Sequence, residues 1–229
     1  MSQKQEKLQF LRIGAACSIT TAICYFSIVI CAFFSPASVA SYVASNEYFK
    51  QFEPYKHYFV VLKSMMLIGD ASTIGLIISF FKLHKLKNQS IFTCLTVLAV
   101  IGLGVGMYQS ILDATQLPHL AAEYAKASES VKHVIIAFGI ASPAVYILSM
   151  ALPGLWFLTL AMGLKKELPK FLFYLLLLWG LGNFVTPAAH IFIIIWMIYT
   201  IAAVACLVSP FWGVYLCKYF LAKAKKLGK

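Results

Sequence analysis

The chain has 229 residues, of which 61% are hydrophobic and only 12% charged, and its mean hydropathy is +0.83. Soluble domains carry about a quarter charged residues and disordered chains carry few apolar ones, so both classes are excluded. In a soluble protein the formal net charge of +11 would suggest a nucleic-acid partner. In so apolar a chain, the placement of the basic residues decides what that charge means.

Six stretches of the sequence are long and apolar enough to span a membrane, which takes about 20 mainly apolar residues. The predicted fold is an all-α bundle of six transmembrane helices, and residues 1–229 form a single transmembrane domain. Pro143 and Pro153 lie inside the fourth stretch and are expected to kink it. The predicted spans are Phe10–Ser35, Tyr58–Phe81, Ile91–Thr115, Val134–Gly163, Phe171–Pro187 and Ile191–Leu216.

The basic residues predict the orientation of these spans. Both termini and the second and fourth connections together carry 14 Lys and Arg residues but only two acidic ones, Glu6 and Glu167. Short basic segments stay in the cytoplasm, so both termini are expected there. The net charge therefore mainly indicates how the chain is oriented in the membrane. No nucleic-acid partner is expected, and attraction of the basic C-terminal tail to anionic lipid is a secondary role.

The first stretch has two interpretations. Ser38-Val39-Ala40 resembles a signal-peptidase site, but the apolar stretch before it is longer than the usual 7–15 residues. We therefore expect an uncleaved first span, with cleavage as the alternative.

The two longer connections, Ser41–His57 and Pro118–His133, are both predicted on the outer side. They combine aromatic residues with charges of both signs. Such segments are typical of short helices in the headgroup region, and the alternative is a lid over an outward-facing cavity.

Asp70 is the most informative residue of the sequence. It lies 12 residues from both Tyr58 and Lys82, which places it near the middle of the bilayer. A carboxylate there costs roughly 2.5–3.5 kcal/mol, so it must face another helix or a hydrated cavity, or else stay protonated. Two interpretations stay open: a hydrogen-bonded Asp that holds helices together, or a site for a proton or ion.

Further polar residues are predicted at the depth of Lys63, two turns from Asp70 on nearly the same face of the second span. Lys63 either extends outward to the interface or joins a polar network with Asp70. Four other residues lie near the outer ends of their spans, where they could line an outward-facing pocket or simply mark helix ends. They are Gln109, Asp113, Asn183 and His190.

A metal site is a weaker hypothesis. His57, His133 and His190 are predicted on the outer side, and Asp113 could supply a carboxylate. None of the histidines forms a helical ligand pair, and we expect no cofactor. The sequence also lacks known catalytic motifs, which favours a non-enzymatic protein without excluding an intramembrane enzyme.

Glycine residues recur every second position in the third span, at Gly102, Gly104 and Gly106. Small residues of this kind permit close approach of helices or provide a flexible point. Close packing is the expected role.

The chain resembles a family of small six-span bacterial inner-membrane proteins of unknown function. The resemblance rests on the span pattern, on Leu164-Lys165-Lys166-Glu167-Leu168-Pro169-Lys170 leading into Leu175–Gly182, and on Gly154-Leu155-Trp156. It implies a multi-pass protein of the bacterial inner membrane and no particular site residues.

Three functional hypotheses follow. The first is a non-enzymatic membrane subunit that binds lipid, other membrane subunits or a second copy of itself. The alternative is a small-solute or ion transporter or binding protein with an outward-facing polar cavity centred on Asp70. The third is an intramembrane enzyme or metal protein that uses the outer histidines.

Overall fold

A computed structural model describes residues 2–36, 46–84, 86–138, 145, 147–192 and 195–228. Across these ranges the chain is helical and contains no strand, which confirms the all-α prediction. A π-helical turn, Ile147–Ala151, directly precedes the fifth helix. The helices are α1 (Gln3–Phe33), α2 (Asn46–Leu83), α3 (Gln89–Lys126), α4 (Glu129–Phe138), α5 (Leu152–Gly163), α6 (Lys170–Ile191) and α7 (Ile195–Gly228).

The helices have the dimensions and surface of a membrane protein. Within the described residues, four stretches are long and apolar enough to cross a bilayer: α1, α2, α3 and residues 170–189 of α6. Large apolar side chains cover much of their outside, and Phe33, for example, is 83% exposed. So much exposed apolar surface requires a lipid environment.

Two helices extend well beyond the spans predicted for them. α2 begins at Asn46 rather than near Tyr58, and α3 continues to Lys126 rather than ending near Thr115. The extensions pack on each other and on α4 through an outer cluster of buried side chains. Several rings of the first outer segment, which was predicted to lie in the headgroup region, are buried in this cluster. The outer cluster consists of Tyr48, Phe49, Phe52, Phe59, Leu117, Ala121, Tyr124 and Ile135.

The described elements of the predicted fourth span are α4, the π-helical turn and α5. α4 covers the start of this span, and the π-helical turn leads into α5. Residues 139–144 and 146, and with them the predicted kink at Pro143, lie outside the described residues. Pro153 lies in the first turn of α5 and has no N–H to donate to residue 149, so the backbone before it departs from α-helical geometry. In contrast, α6 does not end at Pro187, where the predicted fifth span ends, but continues to Ile191.

The helices pack in a closed sequence around a central axis. α1 contacts α2 and α7, α2 contacts α3, α3 contacts α5 and the π-helical turn, α5 contacts α6, and α6 contacts α7. Towards the basic end, the interior is filled by aromatic rings such as Trp156 and Trp212. Two tryptophans also join helices by hydrogen bonds: Trp156 Nε1 donates to Thr96 Oγ1 and Trp179 Nε1 to Ser209 Oγ, both at 2.8 Å. The polar site lies between this aromatic core and the outer cluster.

Candidate ion-binding site

A buried ion pair joins α2 and α3 in the half of the bundle that lies away from the basic termini. Lys63 Nζ lies 2.6 Å from Asp113 Oδ2, and the two residues are only 4% and 7% exposed. Gln109, one turn back along α3, donates from Nε2 to Asp113 Oδ1 at 2.6 Å. Lys63 is therefore buried and paired with Asp113, and the interpretation that it extends outward to the interface is wrong.

The antiparallel register of α2 and α3 brings Asp70 opposite a glycine. Asp70 lies seven residues after Lys63 in α2, and Gly106 lies seven residues before Asp113 in α3. A Cβ atom added to Gly106 would lie 2.8 Å from Asp70 Oδ2 and 3.1 Å from Ser149 Cβ. Gly106 thus leaves the space that the carboxylate occupies. Among the described residues, no side chain donates a hydrogen bond to Asp70.

These side chains surround one cavity of about 70 Å³ near the axis of the bundle. Its wall comes from α1, α2, α3, α6, the π-helical turn and the start of α5. Five of the six residues that sequence reasoning assigned to a polar pocket line it: Lys63, Asp70, Gln109, Asp113 and Asn183. Asn183 Nδ2 donates to the carbonyl of Trp179 at 2.8 Å, and Trp179 lines the cavity as well.

The outer cluster adjoins the ion pair directly. Phe59 belongs to that cluster, and Lys63 Nζ lies 5.4 Å from the centroid of its ring. Tyr124 Oη donates to Asn46 Oδ1 at 2.6 Å and so ties α3 to the start of α2. The extensions of α2 and α3 therefore form a packed cover over the Lys63–Asp113 pair.

The residues that the sequence suggested as metal ligands do not come together as the residues of the cavity do. His57 and His133 are exposed, and Asp113 is paired with Lys63. His190 belongs to α6, but its side chain lies outside the described part of the chain. Across the described ranges, no three His, Cys, Asp or Glu residues are grouped so that they could hold a metal ion.

Sequence reasoning missed two polar residues of the cavity, Ser110 and Ser149. Ser110 could have been found, because it continues the helical face of α3 that carries Gly102, Gly106 and Asp113. Ser149 is brought to the cavity by the π-helical turn. Gly102 permits this contact, because a Cβ there would overlap the carbonyl oxygen of Leu148. Of the three glycines predicted to permit close packing, Gly104 has no atom within 4 Å of such a Cβ.

A second buried polar cluster, at the basic end, was also missed. His84 directly follows α2 and is buried. Its Nε2 lies 3.2 Å from Tyr219 Oη and accepts a hydrogen bond from Lys223 Nζ at 2.9 Å. Burial, followed by the positive charge of Lys223, lowers the pKa of His84 to about 4. The folded protein therefore holds this histidine neutral.

The stability of the protein should consequently fall in mild acid. Between pH of about 6.5 and 4 the unfolded chain takes up a proton on His84 that the folded chain does not, so stability decreases as pH falls. The complete loss is about 3 kcal/mol of unfolding free energy. Thermal midpoints of the detergent-solubilised protein from pH 4 to 8 measure it. The His84→Gln variant should show a flatter profile, and His57→Gln, at an exposed histidine, should follow the wild type. Parallel profiles of His84→Gln and wild type would contradict the assignment.

Comparison of the chain with protein-family models, with curated proteins and with solved structures found no match. The resemblance to the six-span bacterial proteins therefore stays a prediction.

Proposed function

We propose that this protein binds a proton or a small monovalent cation in the intramembrane cavity, as an ion transporter or ion-binding membrane protein. The observation that carries the proposal is the convergence of two carboxylates, one lysine and several neutral polar groups on one small cavity. Intramembrane ionisable groups are costly and commonly mark ion or proton pathways.

The charges around the cavity favour a ligand with one positive charge. Lys63 pairs with Asp113, and Asp70 has no such partner among the described residues. With all three groups ionised, the site carries one net negative charge. A proton on Asp70, or a cation beside it, neutralises that charge in a medium where an isolated charge is expensive.

The size of the cavity also limits the ligand. One water needs about 10–15 Å³ of such space, so about 70 Å³ holds a few waters or a partly hydrated ion. Sites for larger organic ligands measure about 300–1,000 Å³. The carbonyl oxygens of Gln109 and Asn183 and the hydroxyls of Ser110 and Ser149 are ligand types that suit such an ion.

The proposal includes six spans with both termini in the cytoplasm of a bacterial inner membrane. It is supported by the 14 basic residues that fall at the termini and in two connections, and by the closed packing order of the helices. In this orientation the cavity lies nearer the outer face. The interpretation as a partner-binding subunit stays a prediction, since no feature of the cavity calls for a partner.

Ion titration with an Asp70→Asn variant tests the proposal. Trp179 lines the cavity, so its fluorescence should change when the site is occupied. Acid, NaCl and KCl are each titrated against the purified protein, with choline chloride matching the ionic strength. We expect a saturable change with one of the three, and its loss in Asp70→Asn because the amide carries no charge.

The matched control is Glu123→Gln, which makes the same chemical change at an exposed position of α3. It should titrate like the wild type. An equal response in Asp70→Asn and wild type, or an equal response to choline chloride, would contradict the proposal. Because Asp70 accepts no hydrogen bond from the described residues, the thermal midpoint of Asp70→Asn should stay at or above that of the wild type.

A further inference from the structure

A second cavity, separate from the ion site, opens at the basic end of the bundle. It is a groove of about 610 Å³ between the connection that precedes α6, the first turn of α6 and the last turns of α7. One side is apolar, with Leu168, Phe171 and Leu172. The other side is formed by tyrosines and lysines of α7. We call it the basic groove.

The basic groove carries a positive charge that the protein does not neutralise within it. Lys218, Lys223 and Lys226 line it, and Glu167 is the single acidic residue among its lining residues. Two of the lysines lie against aromatic rings: Lys218 Nζ is 5.5 Å from the centroid of Tyr215, and Lys223 Nζ is 4.7 Å from that of Tyr219. Lys223 also donates to His84, whereas Lys218 and Lys226 are exposed.

The position of the basic groove along the bundle indicates what it can meet. The predicted fifth span begins at Phe171 and the predicted sixth span ends at Leu216, so the basic groove lies at the boundary between hydrocarbon and water. Tyrosines are enriched at this level, and lysines there face the phosphate groups of lipids. The apolar side continues towards the hydrocarbon, where an acyl chain runs.

We propose that the basic groove binds one anionic phospholipid. Its phosphate lies between Lys218 and Lys226, and an acyl chain packs along Phe171 and Leu172. The lining residues together carry two net positive charges, which complement a negative headgroup and disfavour a zwitterionic one. The apolar side distinguishes a lipid from free phosphate, which gains nothing from it. The volume lies within the usual range for ligand sites.

Native mass spectrometry of the purified protein with an equimolar mixture of phosphatidylglycerol and phosphatidylcholine tests this inference. We expect one phosphatidylglycerol to be retained in preference to phosphatidylcholine. The Lys218→Gln/Lys226→Gln variant should retain about tenfold less, because each lysine near the headgroup contributes to the attraction. Both side chains are exposed, so the variant should fold, which an unchanged thermal midpoint checks.

The matched control is Lys4→Gln/Lys7→Gln, which removes the same charge at exposed positions of α1 outside the basic groove. It should retain phosphatidylglycerol like the wild type. Equal retention of both lipids, or an equal loss in both variants, would overturn the inference, the latter because it indicates attraction by overall charge alone. Displacement of the lipid by an equal concentration of glycerol phosphate, which has no acyl chains, would overturn it as well.

Discussion

Replacing Lys63 by methionine should lower the unfolding free energy by about 3–5 kcal/mol, because it leaves the Asp113 carboxylate buried without its cation. Gln109 alone cannot neutralise the charge of Asp113. For a chain of this length the loss corresponds to a decrease of roughly 10 °C in the thermal midpoint. Thermal unfolding of the detergent-solubilised variant measures it.

Two further variants show whether the effect belongs to the buried pair. Lys63→Met/Asp113→Leu removes both charges and should recover most of the lost stability. Lys132→Met breaks the exposed pair between Lys132 and Glu129, whose Nζ and Oε1 atoms are 2.8 Å apart. Because exposed pairs of this kind contribute little, it should leave the thermal midpoint nearly unchanged. A double variant as unstable as Lys63→Met, or equal losses in Lys63→Met and Lys132→Met, would contradict the assignment.

Replacing Gly102 by alanine should cost about 3 kcal/mol, at the upper end of the range for overpacking. The atom that the new methyl group would overlap is the backbone carbonyl oxygen of Leu148, which cannot move by changing a rotamer. α3 must therefore move away from the π-helical turn. Gly106, one turn further along α3, lies against Ser149, which directly follows Leu148, so the proposed cation binding in the cavity should weaken together with stability.

Gly104→Ala is the matched control for this prediction. Gly104 lies two residues away in α3, and a methyl group there has open space around it. Because alanine suits a helix interior better than glycine, this variant should be more stable by about 0.5–1 kcal/mol. If the thermal midpoints of Gly102→Ala and Gly104→Ala shift by the same amount, the π-helical turn does not pack against Gly102.

The polar site could be predicted from the sequence because few residues of its type occur in the apolar stretches. Lys63 and Asp70 are seven residues apart, so helix geometry alone places them on one face. Asp113 and Gln109 share a face of the third span for the same reason. Matching the depths of the spans then brought these residues together with Asn183, and all five line one cavity.

The ends of the helices were harder to predict. Hydropathy reports which residues prefer lipid, and the prediction ended α2 and α3 where charges begin. Both helices continue, because Phe49 of α2 and Tyr124 of α3 stack on each other with ring centroids 5.0 Å apart. That contact joins residues 75 positions apart in the chain and leaves no periodic pattern in the sequence.

At the basic end, the surroundings of a single polar residue were equally hard to predict from the sequence. His84 lies in the second connection, which the sequence predicts to be basic and cytoplasmic and where an exposed side chain is the norm. Its burial follows from α7 continuing past Leu216, which brings Tyr219 and Lys223 to the histidine. Only the packing of α7 against the end of α2 makes this histidine neutral.

The uninterrupted course of α2 has a mechanical consequence. Tyr48 in the outer cluster and Asp70 at the cavity are 22 residues apart on one helix, a distance of about 33 Å. In a straight helix of this length, a tilt of about 10° around Asp70 displaces the Tyr48 end by about 6 Å, and Pro54, between the two positions, is where α2 can bend. Spin labels at the Asn46 end of α2 and the Ile195 end of α7 would therefore report movements that are too small to follow at the cavity itself.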